Sequence, residues 1–316
     1  VMSQPLFPKH QRGSQAVMSI QNIIDGLEGD KAQSKLHGIS HLRLLSSRAN
    51  PDQALALLRT KGFLDLVIHL IGDASTTEID KRCRLYALHT LTYHVLKAPV
   101  IDEVILAHPR LLPALTSVLK DSSAPTSTSV AAIRVLDFLC VHKPNRTVIG
   151  FFTLEDEDKT SMLDLLGELI LHDDETIEDP TACSDIARHA CNVVRYLAED
   201  DRMVFTVARN KDLLDALTAI ALVPKEEASI AYKEDQGSVR PERIEGVALT
   251  TLLYLASLKA NLSVLRGHEL LYDVALEAAE SSTDPAISET AMSLIDLLEQ
   301  DREEREAIRT IAGDKE

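Results

Sequence analysis

Apolar residues recur along this chain in a four-point pattern, in which a small residue is followed by apolar residues one, four and seven positions later. These offsets lie on one face of an α-helix, so each occurrence predicts a helix with one buried side. The small residues are 49, 45, 58, 58 and 43 positions apart. Only the second segment breaks the pattern, at its last position. The six segments are Gly38-Ile39-Leu42-Leu45, Ala87-Leu88-Leu91-His94, Ala132-Ile133-Leu136-Leu139, Ala190-Cys191-Val194-Leu197, Ala248-Leu249-Leu252-Leu255 and Ala291-Met292-Ile295-Leu298.

Each of these long helices is followed by a turn, a short helix and a second Leu-rich helix. The second helices are predicted over 62–71, 111–119, 160–171, 211–222 and 268–279. Asn50, Asn145, Asp201 and Asn261 precede the short helices, where a side-chain oxygen is expected to cap the helix N-terminus. A helical unit that returns every 40 to 60 residues is typical of an α-solenoid. We therefore expect the five alanines of the pattern to be buried at close helix crossings, and Leu136, Val194 and Leu252 to be fully buried.

Two kinds of segment resemble armadillo repeats. Lys61–Val67 and Arg110–Leu115 are similar to the opening of the second armadillo helix, which reads Gly-hydrophobic-Pro. Val193–Ala198 and Leu252–Ala256 resemble the end of the third helix, which reads Ala-Leu-x-Asn-Leu-Ala. The resemblance implies an all-α, right-handed α-solenoid of about six armadillo-like repeats. HEAT repeats are the close alternative, but they have two helices per unit and often a proline in the first, which this chain lacks as a rule.

The repeat divides the chain into three predicted parts. These are an irregular N-terminal arm over 1–16, a repeat domain over 17–300 and a charged helix or tail over 301–316. Two globular domains are an alternative, but the unbroken repeat favours one superhelix. Loops are predicted at 121–129, 171–185 and 223–242, either as tolerated surface insertions or as functional segments.

Charge and cysteine content narrow the possible partners. The chain has 33 Lys and Arg against 49 Asp and Glu, a net charge of −16. This argues against nucleic-acid binding and anionic membranes, and favours either a basic protein partner or simply solubility. No apolar run approaches the length of a membrane span, so no membrane insertion is predicted. The four cysteines form no C-x-x-C motif, which indicates reduced thiols and a cytoplasmic or nuclear location.

Catalytic and metal-binding motifs are missing from the sequence. There is no Gly-rich phosphate loop, no G-x-S-x-G, no H-E-x-x-H and no kinase signature, so we predict neither enzymatic activity nor a cofactor. His37 and His41 lie four residues apart and share a helix face, but no further ligand is placed near them. An ordinary helix surface is the favoured interpretation of this pair, and no metal site is predicted.

The resemblance also implies where a partner would bind. In armadillo proteins the third helices line a concave groove, and their Asn clamps the backbone of an extended peptide. Here that position is never Asn, so a clamp like that of importin alpha is not predicted. Four of the six residues are aromatic, and they form either an exposed ladder or part of the core. This aromatic row consists of Leu44, Tyr93, Phe138, Tyr196, Tyr254 and Leu297.

A second row, one helical turn earlier, is uniformly polar and is therefore expected to face solvent. We call Ser40, His89, Arg134, Asn192, Thr250 and Ser293 the polar row. Nearby arginines make the predicted groove less acidic than the whole chain, unless they are scattered solvated residues. They are Arg43, Arg84, Arg134, Arg188 and Arg195.

These observations predict a non-enzymatic scaffold or adaptor that binds a partner protein or peptide segment in the groove. Two alternatives stay open: a chaperone co-factor or nucleotide-exchange regulator that embraces a partner domain, and a structural subunit of a larger assembly. The residues predicted to bind the partner are Tyr93, Phe138, Tyr196, Tyr254, His89, Arg134 and Asn192.

Overall fold

The computed structural model describes residues 23–24, 26–27, 31–73, 77–95, 97–154, 159–171, 180–222 and 243–313. Only the backbone is described for 180–184 and 300–313. The predicted N-terminal arm, the loop over 223–242 and most of the loop over 171–185 lie outside these residues. The predicted loop at 121–129 is shorter than expected, because a helix already begins at Thr126.

From residue 31 onwards, sixteen α-helices follow one another in the described residues, in the repeating order long, short, second. They are α1 (Ala32–Arg48), α2 (Pro51–Leu58), α3 (Phe63–Gly72), α4 (Glu78–Val95), α5 (Pro99–Leu106), α6 (Leu111–Lys120), α7 (Thr126–Val141), α8 (Lys143–Gly150), α9 (Met162–Ile170), α10 (Pro180–Ala198), α11 (Val204–Arg209), α12 (Lys211–Ala221), α13 (Ile244–Ser257), α14 (Leu262–Arg266), α15 (Leu271–Ser281) and α16 (Pro285–Gly313). The described chain contains no strand, only one isolated bridge between Thr153 and Ser161.

The helices form two compact units, residues 1–145 and 146–316, and both are built in the same way. In the first unit the long helices α1, α4 and α7 pack in sequence, and α3 packs on α6. In the second unit the long helices α10, α13 and α16 pack in sequence, as do α9, α12 and α15. Helices therefore contact their counterparts in the next repeat, which is the stacking of a solenoid. Five complete short–second–long triplets follow α1.

The repeating pattern forms the core, as predicted. Ala87, Ala132, Ala190, Ala248 and Ala291 are all 0% exposed. Leu136, Val194 and Leu252 are also 0% exposed, so their predicted burial is confirmed. Alanine at the crossings leaves room for neighbouring backbones, and the larger residues fill the space between helices.

The break in the pattern at His94 is a buried polar pair rather than an exposed position. His94 is 0% exposed and its Nε2 lies 3.0 Å from the hydroxyl of Ser46, in the preceding long helix. The Phe63 ring meets the imidazole edge to face at 5.7 Å. Burial, and secondarily the charge of Lys97, lowers the pKa of His94 to about 4, so the ring is neutral at pH 7.

The predicted caps of the short helices are right at one position and wrong at three. Asn50 caps α2 in a full capping box, since its side chain accepts from the backbone N–H of Gln53 and the Gln53 side chain accepts from the backbone N–H of Asn50. Asn145 and Asn261 instead donate from Nδ2 to the carbonyls of Leu139 and Leu255, at 3.0 and 3.1 Å. These side-chain amides supply hydrogen bonds to carbonyls at the C-terminal end of the preceding long helix, where the last carbonyls have no partner within the helix. Asp201 is exposed, and the N-terminus of α11 has no side-chain cap.

Side chains just before the second helices bind carboxylates of the preceding second helix, a feature that sequence analysis missed. The three contacts recur in equivalent places along the array. We call them the inter-repeat contacts: His108 Nε2 to Asp65 at 3.0 Å, Asn210 Nδ2 to Asp164 at 2.7 Å and His268 Nε2 to Asp215 at 2.7 Å.

One face of α16 differs from the same face of the earlier long helices. Met292 is 53% exposed, whereas the equivalent residues of the five earlier segments are all fully buried. Glu289, Asp296 and Glu299 are exposed beside it. This acidic face of α16 therefore lies in solvent.

Candidate functional site

The polar row is partly exposed throughout, as the sequence predicts. All six residues are half-buried, although the residues immediately before them in the chain, Met292 apart, are fully buried. The long helices therefore present a polar stripe beside the buried pattern.

The aromatic row is also accessible. Tyr93, Phe138 and Tyr196 are half-buried, and Tyr254 is 43% exposed. The flanking Leu44 is 45% exposed, and Leu297 is half-buried. None of the four rings is therefore enclosed in the core. Together, the polar and aromatic rows of one unit are called its long-helix face.

In the first unit this face carries a cluster of rings and positive charges. The Arg43 guanidinium lies over the Tyr86 ring, 4.5 Å from its centre. The Arg82 side chain donates to the Tyr86 hydroxyl and lowers its pKa. Burial, and then the charges of Arg43 and Arg134, lowers the pKa of His89. His89 on α4 is therefore a neutral ring within the fields of two arginines, one on α1 and one on α7.

In the second unit Tyr196 lies close to two arginines. The guanidinium carbons of Arg146 and Arg195 lie 5.1 and 5.3 Å from its ring centre. Arg146 also pairs with Glu199 at 3.2 Å, which positions it beside the ring. Asn192 lies one turn earlier on the same helix and is half-buried. Tyr254 on α13 continues the aromatic row.

Two arginines expected near the groove have structural roles instead. Arg84 is 5% exposed, pairs with Asp121 at 3.0 Å and donates to the carbonyl of Asp73, so it holds the loops beside α4. Arg188 pairs with Asp185 at 2.5 Å within α10. Conversely, sequence analysis missed Tyr86, Arg82 and Arg146. Tyr86 stands one residue before the small residue of its segment, where its spacing could have placed it on this face.

The described residues contain no group of three or more His, Cys, Asp and Glu side chains placed to hold a metal ion. His37 and His41 meet as a T-shaped ring pair at 4.2 Å on α1. The second unit has an open cleft of about 460 Å³ between α8 and α11. Phe151 and Phe205 line it together with Arg209, and its described lining includes no Cys, His, Asp or Glu. Rings and a cation can hold an apolar or aromatic side chain there.

Within the described part of the chain, no single helix is long and apolar enough to cross a membrane. Ile244–Ser257 and Lys259–Arg266 reach that length and composition only when taken together, and they are bent by 101°. Their leucines at 249, 252, 255 and 265 are fully buried within the protein.

Comparison with protein-family models finds no match, and comparison with curated protein sequences finds none either. Solved structures, in contrast, match over most of the chain. A computationally designed armadillo repeat protein for modular peptide recognition is 14% identical, with a TM-score of 0.64 over 88% of this chain and 99% of that one. A designed armadillo repeat protein in complex with the peptide (KR)4 is 14% identical, with a TM-score of 0.62 over 88% and 99%.

A natural relative in fold comes from work on the interaction between cadherin and beta-catenin. It is 14% identical to this chain, with a TM-score of 0.61 over 89% of this chain and 52% of that one. At such low identity the similarity concerns the fold alone. The chain therefore has the armadillo-type fold, an all-helical solenoid of three-helix repeats.

Proposed function

We propose that this protein is a non-enzymatic scaffold that binds an extended segment of a partner protein on its long-helix faces. The observation that carries the proposal is the exposure of the aromatic row. Tyr93, Phe138, Tyr196 and Tyr254 remain accessible on helices whose adjacent positions are fully buried. Within each unit, two exposed rings in equivalent positions of successive repeats offer anchors for a partner.

The chemistry of the two rows suits a peptide backbone and its side chains. Tyr and Arg dominate binding energy at protein interfaces, because they bury a large area and keep a polar group. The polar row supplies hydroxyl, amide and imidazole groups beside those anchors, and these can bond to an extended backbone. Two of the structural relatives are designed for, or bound to, peptides, and this supports the same use here.

A random peptide library provides a direct test of binding. Peptides selected from the displayed library against the protein are measured for affinity to the wild type and to two face variants. These are Tyr93→Ala with Arg134→Ala in the first unit, and Tyr196→Ala with Asn192→Ala in the second. We expect at least one pair to raise the Kd roughly tenfold or more, since truncating one anchor commonly costs about 2 kcal/mol.

A matched control removes exposed side chains from other helices. Tyr272→Ala with Leu270→Ala deletes a ring and a large apolar group that are 39% and 56% exposed near the start of α15. Thermal unfolding of every variant verifies the fold. The interface would lie elsewhere if the selected peptides bound both face variants as tightly as the wild type but bound the control variant more weakly.

A structural subunit of a larger assembly is the second candidate, and the open cleft favours it. Phe151 is 55% exposed and Phe205 38% exposed, and both lie outside the long helices. An exposed apolar cleft of this kind is typical of a protein contact. Crosslinking with a photoreactive residue distinguishes the two candidates. Capture of a partner protein from position 151 supports the assembly subunit, and capture from position 196 supports the scaffold.

A further inference from the structure

The long helices of the first unit differ in charge from the rest of the chain. Helices α1, α4 and α7 contain seven Lys and Arg and three Asp and Glu, whereas the whole chain carries −16. Helix α1 has no acidic residue at all. The long helices of this unit are therefore a local region of positive charge in an acidic protein.

The three carboxylates of these helices do not neutralise the exposed face. Asp137 is 4% exposed and so lies away from solvent. Glu78 pairs with Lys81 at 2.9 Å, and Asp80 accepts from the Thr77 hydroxyl at 2.6 Å. Glu78 and Asp80 lie in the first turn of α4, two turns or more before His89 and Tyr93.

The positive groups are instead arranged across three adjacent helices. Arg43 on α1 stacks over Tyr86 on α4, while Arg82 holds the hydroxyl of the same ring. The Nε of the stacked Arg43 guanidinium is buried and has no hydrogen-bond partner among the described residues, so only the outer nitrogens of this fork can reach a ligand. Arg134 on α7 is half-buried in the polar row, one repeat further along. We call Arg43, Arg82, Tyr86, His89 and Arg134 the cationic cluster.

The long-helix face of the second unit has a different character. Its polar row consists of Asn192, Thr250 and Ser293, none of which carries a charge. The second unit does place Arg146 and Arg195 beside the Tyr196 ring, but Arg146 is already paired with Glu199. A stacked arginine combined with an arginine in the polar row is therefore found in the first unit.

We propose that the cationic cluster binds an Asp- or Glu-rich extended segment of a partner protein. This rests on the proposed function, and adds the chemistry of the partner. The net charge of the chain predicted a basic partner, but a bound segment experiences the nearest charges most strongly, because salt screens interactions beyond about 8 Å. Arginine forks bind carboxylates with two hydrogen bonds, which favours Asp and Glu over neutral residues.

The repeat spacing predicts how the acidic residues are placed. Packed helices lie about 8 to 10 Å apart, so α1 and α7, on either side of α4, are about 16 to 20 Å apart. An extended chain rises about 3.4 Å per residue. Carboxylates that reach Arg43 and Arg134 together are therefore expected about five or six residues apart.

The test is fluorescence anisotropy with three labelled ten-residue peptides that alternate Ser with Glu, Gln or Lys. We expect the Glu peptide to bind the wild type, with an affinity that falls as salt rises, and the Gln and Lys peptides to bind at least about tenfold more weakly. Arg43→Gln with Arg134→Gln is expected to weaken binding of the Glu peptide roughly tenfold. Arg43→Lys with Arg134→Lys retains the charge and is expected to recover part of the loss.

The control is Arg59→Gln with Arg110→Gln, which removes the same charge from exposed turns of the first unit. Thermal unfolding verifies that each variant folds. Failure of the Glu peptide to bind, stronger binding of the Lys peptide, or equal losses in the control and the cluster variant overturns the proposal. If library peptides require the long-helix faces but are not acidic, only this inference fails. If they do not require these faces, the proposed function fails as well.

Discussion

Replacing the buried pair His94 and Ser46 by apolar residues, as found at these positions in other repeats, should remove a large loss of stability at acidic pH. The position of His94 is Leu in the other five segments, and that of Ser46 is apolar in the next four. The variant is His94→Leu with Ser46→Ala, which removes both polar partners together. Neither group is then left buried without its hydrogen bond, the usual penalty of changing one partner alone.

The magnitude follows from the pKa of His94. Its value is 6.5 for a free side chain and about 4 in the fold, where burial disfavours the charged ring. As the pH falls, His94 takes up a proton in the unfolded chain before it does so in the fold. The contribution of neutral His94 to the free energy of unfolding is therefore complete above pH 6.5 and is lost as the pH falls towards 4. At about 1.4 kcal/mol for each pKa unit, the loss amounts to about 3.5 kcal/mol, of which about 2.5 kcal/mol is lost by pH 4.5.

The assay is urea unfolding followed by circular dichroism, on the wild type and the double variant, at pH 7.5 and pH 4.5. Carboxylates elsewhere titrate equally in both proteins, so their effects cancel in the difference between them. We expect the difference in the free energy of unfolding to change by about 2 to 3 kcal/mol in favour of the variant as the pH falls. A difference that stays constant within about 0.5 kcal/mol would refute the argument, and would mean that His94 is protonated at little cost in the fold.

Three further predictions concern stability. Leu136→Ala or Leu252→Ala should each lower the free energy of unfolding by about 2 to 4 kcal/mol in a denaturant titration, because each leaves a cavity at a fully buried site. Burial raises the pKa of Asp102 to about 7, so ionisation destabilises the fold as the pH rises from 3.8 through 7. Asp102→Asn should therefore stabilise the protein by about 4 kcal/mol at pH 8 and have little effect at pH 3.5, as measured by unfolding at both pH values. Asn210→Ala removes the cap of α12 and its contact with Asp164, and should lower the free energy of unfolding by about 1 to 2 kcal/mol, as measured by thermal unfolding.

The fold could be predicted because its signal is repeated. One helix with apolar residues at offsets of one, four and seven is an ordinary amphipathic helix, but six of them, five with alanine at the same point, indicate stacked helices. The same repetition placed the polar and aromatic residues on the accessible side of each long helix, since residues four positions apart lie on the same side of a helix.

The polar contacts could not be predicted in the same way. Asn145 and Asn261 stand where an N-cap is expected, yet their side chains donate to carbonyls of the preceding long helix, six residues earlier. The residue type and its position are the same for both kinds of bond, so the sequence does not distinguish them. Asp65 and His108 are 43 residues apart and meet only because the second helices stack. The cationic cluster depends likewise on side chains from three helices, and no spacing in the sequence relates Arg43 to Tyr86.

The acidic face of α16 has a consequence for self-association. Each repeat of a solenoid is built to pack against a neighbouring repeat, so an exposed helix face can also accept a helix from a second copy. Here such a contact would bring Glu289, Asp296 and Glu299 out of water together with Met292. Removing carboxylates from water without cationic partners is costly, and two copies meeting through this face would also repel each other. The three acidic residues therefore disfavour a contact between two copies of the chain through this face.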